Sequence, residues 1–406
     1  MTRAFARGSC PGLTSPMATG DGLLARFLPA SPIPLPSFIG MLEAADACGN
    51  GTIEISARGS VQVRGLTPVS APLFAEAIAA LDIAVCESMP VIADPLPDDP
   101  EALIDANAIA GRLLEALSEK GFELAPKVSV VVDGGGRIDL DQLYADIRLR
   151  AVGTQEEARL QMLLAGDAAS AKPAGWVPPD VAVGAALDLL AQIAALGPEA
   201  RASDLLLALP VAEARIEARQ TVRTDAIGLH PLGDGAKALG IALAFGHAQA
   251  HTLAELARIA DEEGALWARP ALRRALLVGP LREQNAAALK GAAKRLGLIV
   301  DAGDPRRRIA ACPGAPFCAH GLIQARSLAA EIAREMPLPA DNEISIHVSG
   351  CAKGCAHPAP AQLTIVGTEH GCGIIHNRTA RAAPTEFVDA SAIILALTGA
   401  KEPVHA

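Results

Sequence analysis

The chain has 406 residues, half of them apolar but only 3% aromatic, and a formal net charge of −10. That length allows several lobes with proper cores, and the acidic balance, with a pI of about 5.4, argues against non-specific nucleic-acid binding. No apolar run approaches the roughly 20 residues that span a bilayer, so no membrane association is expected. The N-terminus is charged and lacks an apolar signal core, and the eight cysteines suit a reducing compartment, so the expected location is the cytoplasm.

Residues 1–90 open with Cys10-Pro11-Gly12 and the turn Gly20-Asp21-Gly22, in which Asp21 has no visible partner. A Pro-rich stretch from Pro29 to Pro36 leads into a helix through Met41, Leu42 and Ala45, which Gly49 ends. Ile53 and Ile55, then Val61 and Val63, alternate as two strands around Ala57-Arg58-Gly59-Ser60. From 91 to 220 the pattern becomes α/β. Helical periodicity at Ile109–Leu117 and Ala185–Leu196 flanks a strand at Val128–Val132, which Lys127 precedes and Asp133-Gly134-Gly135-Gly136 follows.

Residues 221–290 repeat the first segment. Gly233-Asp234-Gly235 opens a helical stretch ending Ala260-Asp-Glu-Glu-Gly264, and "RRALLVGPL" at 273–281 stands where "RGSVQVRGL" stands at 58–66. The order of features is kept across an offset of 213–215 residues, which predicts an internal duplication; the alternative is chance similarity of short Ala-rich pieces. His247, His251 and Glu255, four apart, suggest a two-histidine, one-carboxylate metal site. Thr252 and Glu255 also read as a capping box, which would start the helix after His251 and break that face.

Residues 291–406 hold four of the eight cysteines in two loops, "ACPGAPFC" at 311–318 and "SGCAKGCAHP" at 349–358. Leu322, Ala325, Leu328 and Ile332 predict a helix between them, and Ile344, Ile346 and Val348 predict a strand running into the second loop. Ala392–Leu397 reads as part of a packed C-terminal helix. Arg306-Arg307-Arg308, ahead of the first loop, is either a solvated face or the source of one substrate contact. His320 and His357 follow the loops and read first as histidines bonded to nearby backbone.

Three chemistries compete for Cys312, Cys318, Cys351 and Cys355. A disulfide pair needs an oxidising compartment. Structural zinc favours tighter Cys-x2–4-Cys knuckles. A [4Fe–4S] cluster wants thiolates on short loops, where Gly permits close approach and Pro fixes the chain, and the spacing points that way.

The cysteine pattern resembles that of the nitrite and sulfite reductase superfamily. In its siroheme-dependent members a lysine pair lies in a Pro-Arg-Lys-Phe-Lys-type segment; here only Lys127 matches and Ser129 replaces the second lysine. The Asn-Arg-Asn-Val-type segment is absent, and the acidic stretch "ADPLPDDPEALIDANAIAGR" stands in its place. The precorrin-3B synthase branch fits these departures better, through "RGSCPGLTSPMATGDGLLARF", "GNGTIEISARGSVQVRGL" and "PKVSVVVDGGG".

The resemblance implies an α+β, pseudo-duplicated fold. Two ferredoxin-like half-domains (1–90 and 221–290) alternate with an α/β lobe without a cluster (91–220) and a cluster-binding α/β lobe (291–406). It implies oxygen-dependent hydroxylation and lactone formation on precorrin-3A in aerobic cobalamin biosynthesis. The cofactors implied are a [4Fe–4S] cluster on the four cysteines and a mononuclear non-haem iron, with NADH as the ultimate electron source. Arg58, Arg64, Lys127 and Arg273 would clamp substrate carboxylates. No Gly-x-Gly-x-x-Gly follows a predicted strand, so NADH is expected to act through a separate reductase. The alternatives are a siroheme-dependent nitrite or sulfite reductase and a non-catalytic tetrapyrrole-binding or electron-carrying protein.

Overall fold

The computed structural model describes residues 11–86, 89–208, 224–336, 338 and 344–398; Cys10 and the charged N-terminus lie outside them. The first stretch runs β1 (Met17–Thr19), β2 (Gly22–Pro29), β3 (Ile33–Pro34), α1 (Leu35–Cys48), β4 (Thr52–Ile55), β5 (Val61–Leu66), α2 (Ser70–Ala79) and β6 (Val85–Cys86). The second runs β7 (Val91–Ala93), α3 (Ala106–Lys120), β8 (Val130–Asp133), β9 (Ala145–Val152), β10 (Arg159–Gly166), β11 (Lys172–Val177), α4 (Ala182–Ala195) and α5 (Ala202–Ala208). The third holds β12 (Gly228–Pro231), β13 (Lys237–Ala242), β14 (His247–Gln249), α6 (Ala250–Glu262), β15 (Trp267–Ala271), β16 (Ala275–Leu281) and α7 (Glu283–Arg295). The last holds β17 (Ile309–Ala311), α8 (Ala325–Glu335), β18 (Ile346–Ser349), β19 (Ala361–Thr368), β20 (Gly371–Arg378), β21 (Glu386–Val388) and α9 (Ile393–Thr398). Among the described residues no helix is long and apolar enough to cross a membrane.

The strands form four sheets among the described residues, and they match in pairs. One sheet orders β1-β2-β5-β4-β14 and another β12-β13-β16-β15-β3, so each takes its last strand from the other repeat. Ile33 of β3 pairs with Ala268 of β15, and Ala248 of β14 pairs with Ile53 of β4. Helices α1 and α6 pack together, and one apolar core runs from Phe27, Met41, Leu42 and Phe74 to Leu253, Leu276 and Leu289. Pro34 and Pro36 start α1, and the Gly49 N–H caps its end on Ala45 O. The remaining sheets, β7 to β11 and β17 to β21, share one pattern: two parallel pairings followed by two antiparallel ones.

Arg58 and Arg273 each lie midway between the paired strands of their hairpins, β4–β5 and β15–β16. The two turns meet. The Arg273 N–H donates to Ala57 O at 3.0 Å, and Arg58 bridges Leu272.

Some local readings shift. Helix α6 starts at Ala250 with Gln249 as N-cap and no side-chain cap bond, so Thr252 caps nothing. Pairing of β14 with β4 holds His247 in a strand, and the four-apart face breaks there. Leu322 precedes α8, its N–H committed to Gly350 O at 2.8 Å outside the helix, and its side chain is exposed. The strand after Lys127 is β8, which begins at Val130.

The exchanged strands make each repeat incomplete without the other. Leu42→Ala, at a fully buried position of the shared core, should cost about 2–5 kcal/mol. Denaturant unfolding should show both repeats lost in one transition; two separate transitions would refute the shared core.

Candidate active site: a thiol pair of loops beside an arginine cleft

Cys312 directly follows β17, and Cys351 and Cys355 follow the adjacent strand β18. Parallel pairing of these strands delivers both loops to one end of the sheet. The loops touch backbone to backbone. A Cβ on Gly350 would lie 2.9 Å from Gly314 Cα, 3.3 Å from Gly321 Cα and 3.4 Å from Cys312 Sγ. Only glycines fit such an approach. The Gly350 N–H donates to Cys312 Sγ at 3.1 Å, and a Gly314 amide also stabilises that sulfur. Burial nevertheless pushes the Cys312 thiol up, with the neighbouring Cys351 and Cys318 adding to the shift. Cys355, although exposed at the surface, is raised too, by local loss of water around its sulfur and then by Cys312 and Cys351. The four sulfurs therefore share one field, and ionising them together calls for a positive group between them.

A single ion draws its thiolates to about 2.3 Å each. Among the described residues no group of three or more His, Cys, Asp or Glu is placed to hold one ion. A cubane spreads its ligands over its own corners, so the two glycine-rich loops, with amides aimed at sulfur, fit a [4Fe–4S] group. They give no comparable set for a mononuclear iron.

A cleft of about 400 Å³ opens beside the second loop, lined among others by Arg273, Arg274, Phe245, Gln142, His357 and the run Arg306–Arg308. Arg273 and Arg274 are the two central residues of the β15–β16 turn, with φ of 57° and 65°. A two-residue turn of this hand prefers Asn-Gly, and holding side-chain-bearing residues there costs on the order of 1–2 kcal/mol each. Gly246 gives Arg274 its path, since a Cβ there would sit 2.6 Å from Arg274 Cδ. Arg274 donates to Ala356 O at a long 3.4 Å, its one side-chain hydrogen bond among the described residues. Arg273 stands 3.8 Å from both Asp139 and Asp225. Arg306 and Arg307 are held closely, by Asp304 at 2.6 Å and by Asp225 at 2.8 Å, and Arg308 is buried.

The four cations singled out in sequence are dispersed. Arg273 lines the cleft. Arg58 donates to Ser129 Oγ at 3.2 Å and lines a separate pocket of about 20 Å³ with Arg269. Arg64 is engaged by Asp21 at 2.7 Å and Glu54 at 3.2 Å, which also gives Asp21 the partner its sequence context hides. Lys127 is exposed. Arg274 was missed; its signal was a pair of arginines filling a hairpin turn between alternating strands.

Two histidines near this region are withdrawn from water, His347 fully and His247 in part. His347 on β18 is fully buried, has no partner on either ring nitrogen among the described residues, and meets His357 edge-on at 5.8 Å. Burial, then His357, lowers its pKa to about 4. Burial, then Arg326, lowers that of His247 to about 3. His320 is exposed.

No family model matches the chain. It is 38% identical over 392 residues to a precorrin-3B synthase of Sinorhizobium sp., covering 94% of this chain and 85% of the relative. It is 21% identical over 360 residues to a ferredoxin–nitrite reductase of Synechococcus elongatus, covering 78% and 70%. Its fold matches the solved NirA protein of Mycobacterium tuberculosis with a TM-score of 0.67 at 16% identity, over 91% of this chain and 77% of that one. The fold is that of the sulfite and nitrite reductases.

The two lowered histidine pKa values carry a sign. Above the ordinary value of 6.5 both states are neutral and the full stability is present. As pH falls, the unfolded chain takes up protons that the folded chain refuses, until the folded pKa is reached. Stability should therefore drop between pH 6.5 and about 3, the His347 part being complete by about pH 4, by on the order of a few kcal/mol. His347→Phe should flatten that slope in denaturant titrations at successive pH values; an unchanged slope would refute the assignment.

Proposed function

Because this chain belongs to the precorrin-3B synthase family, we propose that it is an oxidoreductase that oxygenates precorrin-3A in aerobic cobalamin biosynthesis. The observation that carries this reading is the arginine cleft adjoining the second cysteine loop. A volume of about 400 Å³ is of ligand size, and the Arg273 and Arg274 guanidinium groups suit the carboxylates of a large polyanion. Arg58 and Lys127, outside the cleft lining, are proposed for carboxylates reaching beyond it.

The chemistry balances as a monooxygenation. One atom of O₂ enters the tetrapyrrole, and the other leaves as water after taking up two electrons and two protons. NADH would provide the electrons through a separate reductase, and an acetate or propanoate chain would close the lactone. A [4Fe–4S] cluster on Cys312, Cys318, Cys351 and Cys355 would supply electrons singly. No step is assigned to a mononuclear iron, for which the described residues offer no ligand set. This chain's own groups bind and orient. Arg274, crossing Gly246 and bonding Ala356 O, anchors one carboxylate against the second cysteine loop. Arg273 can turn from its long contacts with Asp139 and Asp225 to a second. Phe245, Gln142 and His357 line the same space, and fixing the ring there supplies rate through orientation.

Cys312→Ala, Cys318→Ala, Cys351→Ala or Cys355→Ala should each remove most of the broad visible absorption of an iron–sulfur cluster, whereas Cys48→Ala should leave it. Full zinc occupancy with no sulfide in anaerobically purified protein would overturn the cluster. The reaction is tested with precorrin-3A, reductant and ¹⁸O₂, with one labelled atom expected in the product. Arg274→Gln should raise the apparent KM roughly 10- to 100-fold, since a charged, forked bond is worth about 1.5–3 kcal/mol. An unlabelled product, or brisk reduction of sulfite or nitrite by the same preparation, would sink the proposal.

A further inference from the structure

Against the first cysteine loop lies a row of partly buried charges that the cleft does not use. The turn between β1 and β2 rests on this loop: the Ala319 N–H donates to Gly20 O at 2.9 Å, and a Cβ on Gly20 would collide with Cys318 Sγ. Asp21, the next residue, accepts from Arg64 Nε at 2.7 Å and Nη2 at 2.8 Å. Arg64 Nη1 reaches Glu54 Oε2 at 3.2 Å, and Glu54 Oε1 accepts from Arg326 Nη2 at 2.9 Å. Arg326 is the second residue of α8, the helix that the loop enters. The side chains are only 4–19% exposed.

Two carboxylates and two guanidinium groups thus alternate, neutral in sum, across the boundary between the first repeat and the thiol loops. Burying four charges carries a desolvation cost that pairing offsets only in part, and apolar side chains would pack such a seam at least as well. The thiols feel the row. Arg326 interacts electrostatically with Cys312, and Arg64 with Cys355.

We infer that Asp21, Glu54, Arg64 and Arg326 form a positioning network for the cysteine-bound cluster, clamping the first loop to the first repeat and setting the cluster's reduction potential. Arg64 then serves the cluster and not the substrate. The inference rests on the reading of the four thiols as cluster ligands.

Electrostatics gives the two signs of charge opposite effects. A nearby cation stabilises the reduced, more negative cluster and a carboxylate the oxidised one. The test uses anaerobically reconstituted full-length protein, assayed for iron and sulfide and titrated potentiometrically with detection by electron paramagnetic resonance. Arg326→Gln should lower the potential, Glu54→Gln should raise it, and Arg64→Lys should return it close to that of the wild type. Arg258→Gln, which removes the exposed partner of Glu43, should leave it unchanged. Where Glu54→Gln fails to fold, judged by circular dichroism, Asp21→Asn removes a carboxylate from the same row and should also raise it. Shifts in one direction for both signs of charge, or no shift, would overturn the inference. Wild-type protein that takes up no iron and sulfide would instead overturn the cluster reading beneath it.

Discussion

The reciprocal loan of one strand by each repeat constrains everything else in this molecule. Strand β3 completes the sheet of the second repeat and β14 that of the first. Edge strands want partners, and here each edge is closed by the other half. The loan fixes α1 against α6 and brings the two hairpin turns, at Arg58 and Arg273, into backbone contact. Each α/β sheet is then held beside that central pair. The site is thus assembled from segments far apart in sequence, and its rigidity comes from a core that neither repeat owns.

Near-symmetry makes the differences informative. Cys312 directly follows β17, as Asp94 directly follows β7, and both accept from a glycine amide at 3.1 Å, Gly350 in one lobe and Gly134 in the other. The backbone donor is kept while sulfur is replaced by oxygen, so the first lobe has the loop geometry without the thiolate. The hairpins differ in the same manner. Glu54 and Arg269 stand at matching distances from their turns. Glu54 binds Arg326, the second residue of α8, while Arg269 binds Asn107, the second residue of α3. An ion pair docks the thiol-bearing lobe, and a charge–amide bond docks the other.

The two turns also face unequal spaces. Beside Arg58 the pocket is about 20 Å³, and beside Arg273 the cleft is about 400 Å³. In the large cleft Arg306 and Arg307 have their charges matched at short range, whereas Arg273 and Arg274 make only long contacts. Guanidinium groups held this way, on a strained turn, leave most of their hydrogen-bonding capacity unspent among the described residues. Duplication supplied two equivalent places, and side-chain choice left one of them open.

The sequence by itself determined the local facts. Glycine and proline around Cys312, Cys318, Cys351 and Cys355 announced close thiol loops, and alternation at Ile53, Ile55, Val61 and Val63 announced the hairpin. Gly20-Asp21-Gly22 and Gly233-Asp234-Gly235 announced the repeat, because backbone conformation and burial leave short-range marks. Only the tertiary structure decided which charges are free. Arg64 and Arg273 look alike in sequence, each an arginine in or beside a hairpin strand. One lies buried between Asp21 and Glu54, and the other stands 3.8 Å from its nearest carboxylates at the edge of a cleft. Thr252 and Glu255 carried a cap signal that lost to the pairing of β14 with β4, which starts α6 earlier. The availability of a charge, like the place where a helix begins, is set by partners brought in through long-range strand pairing, and such partners leave no periodic trace in the chain.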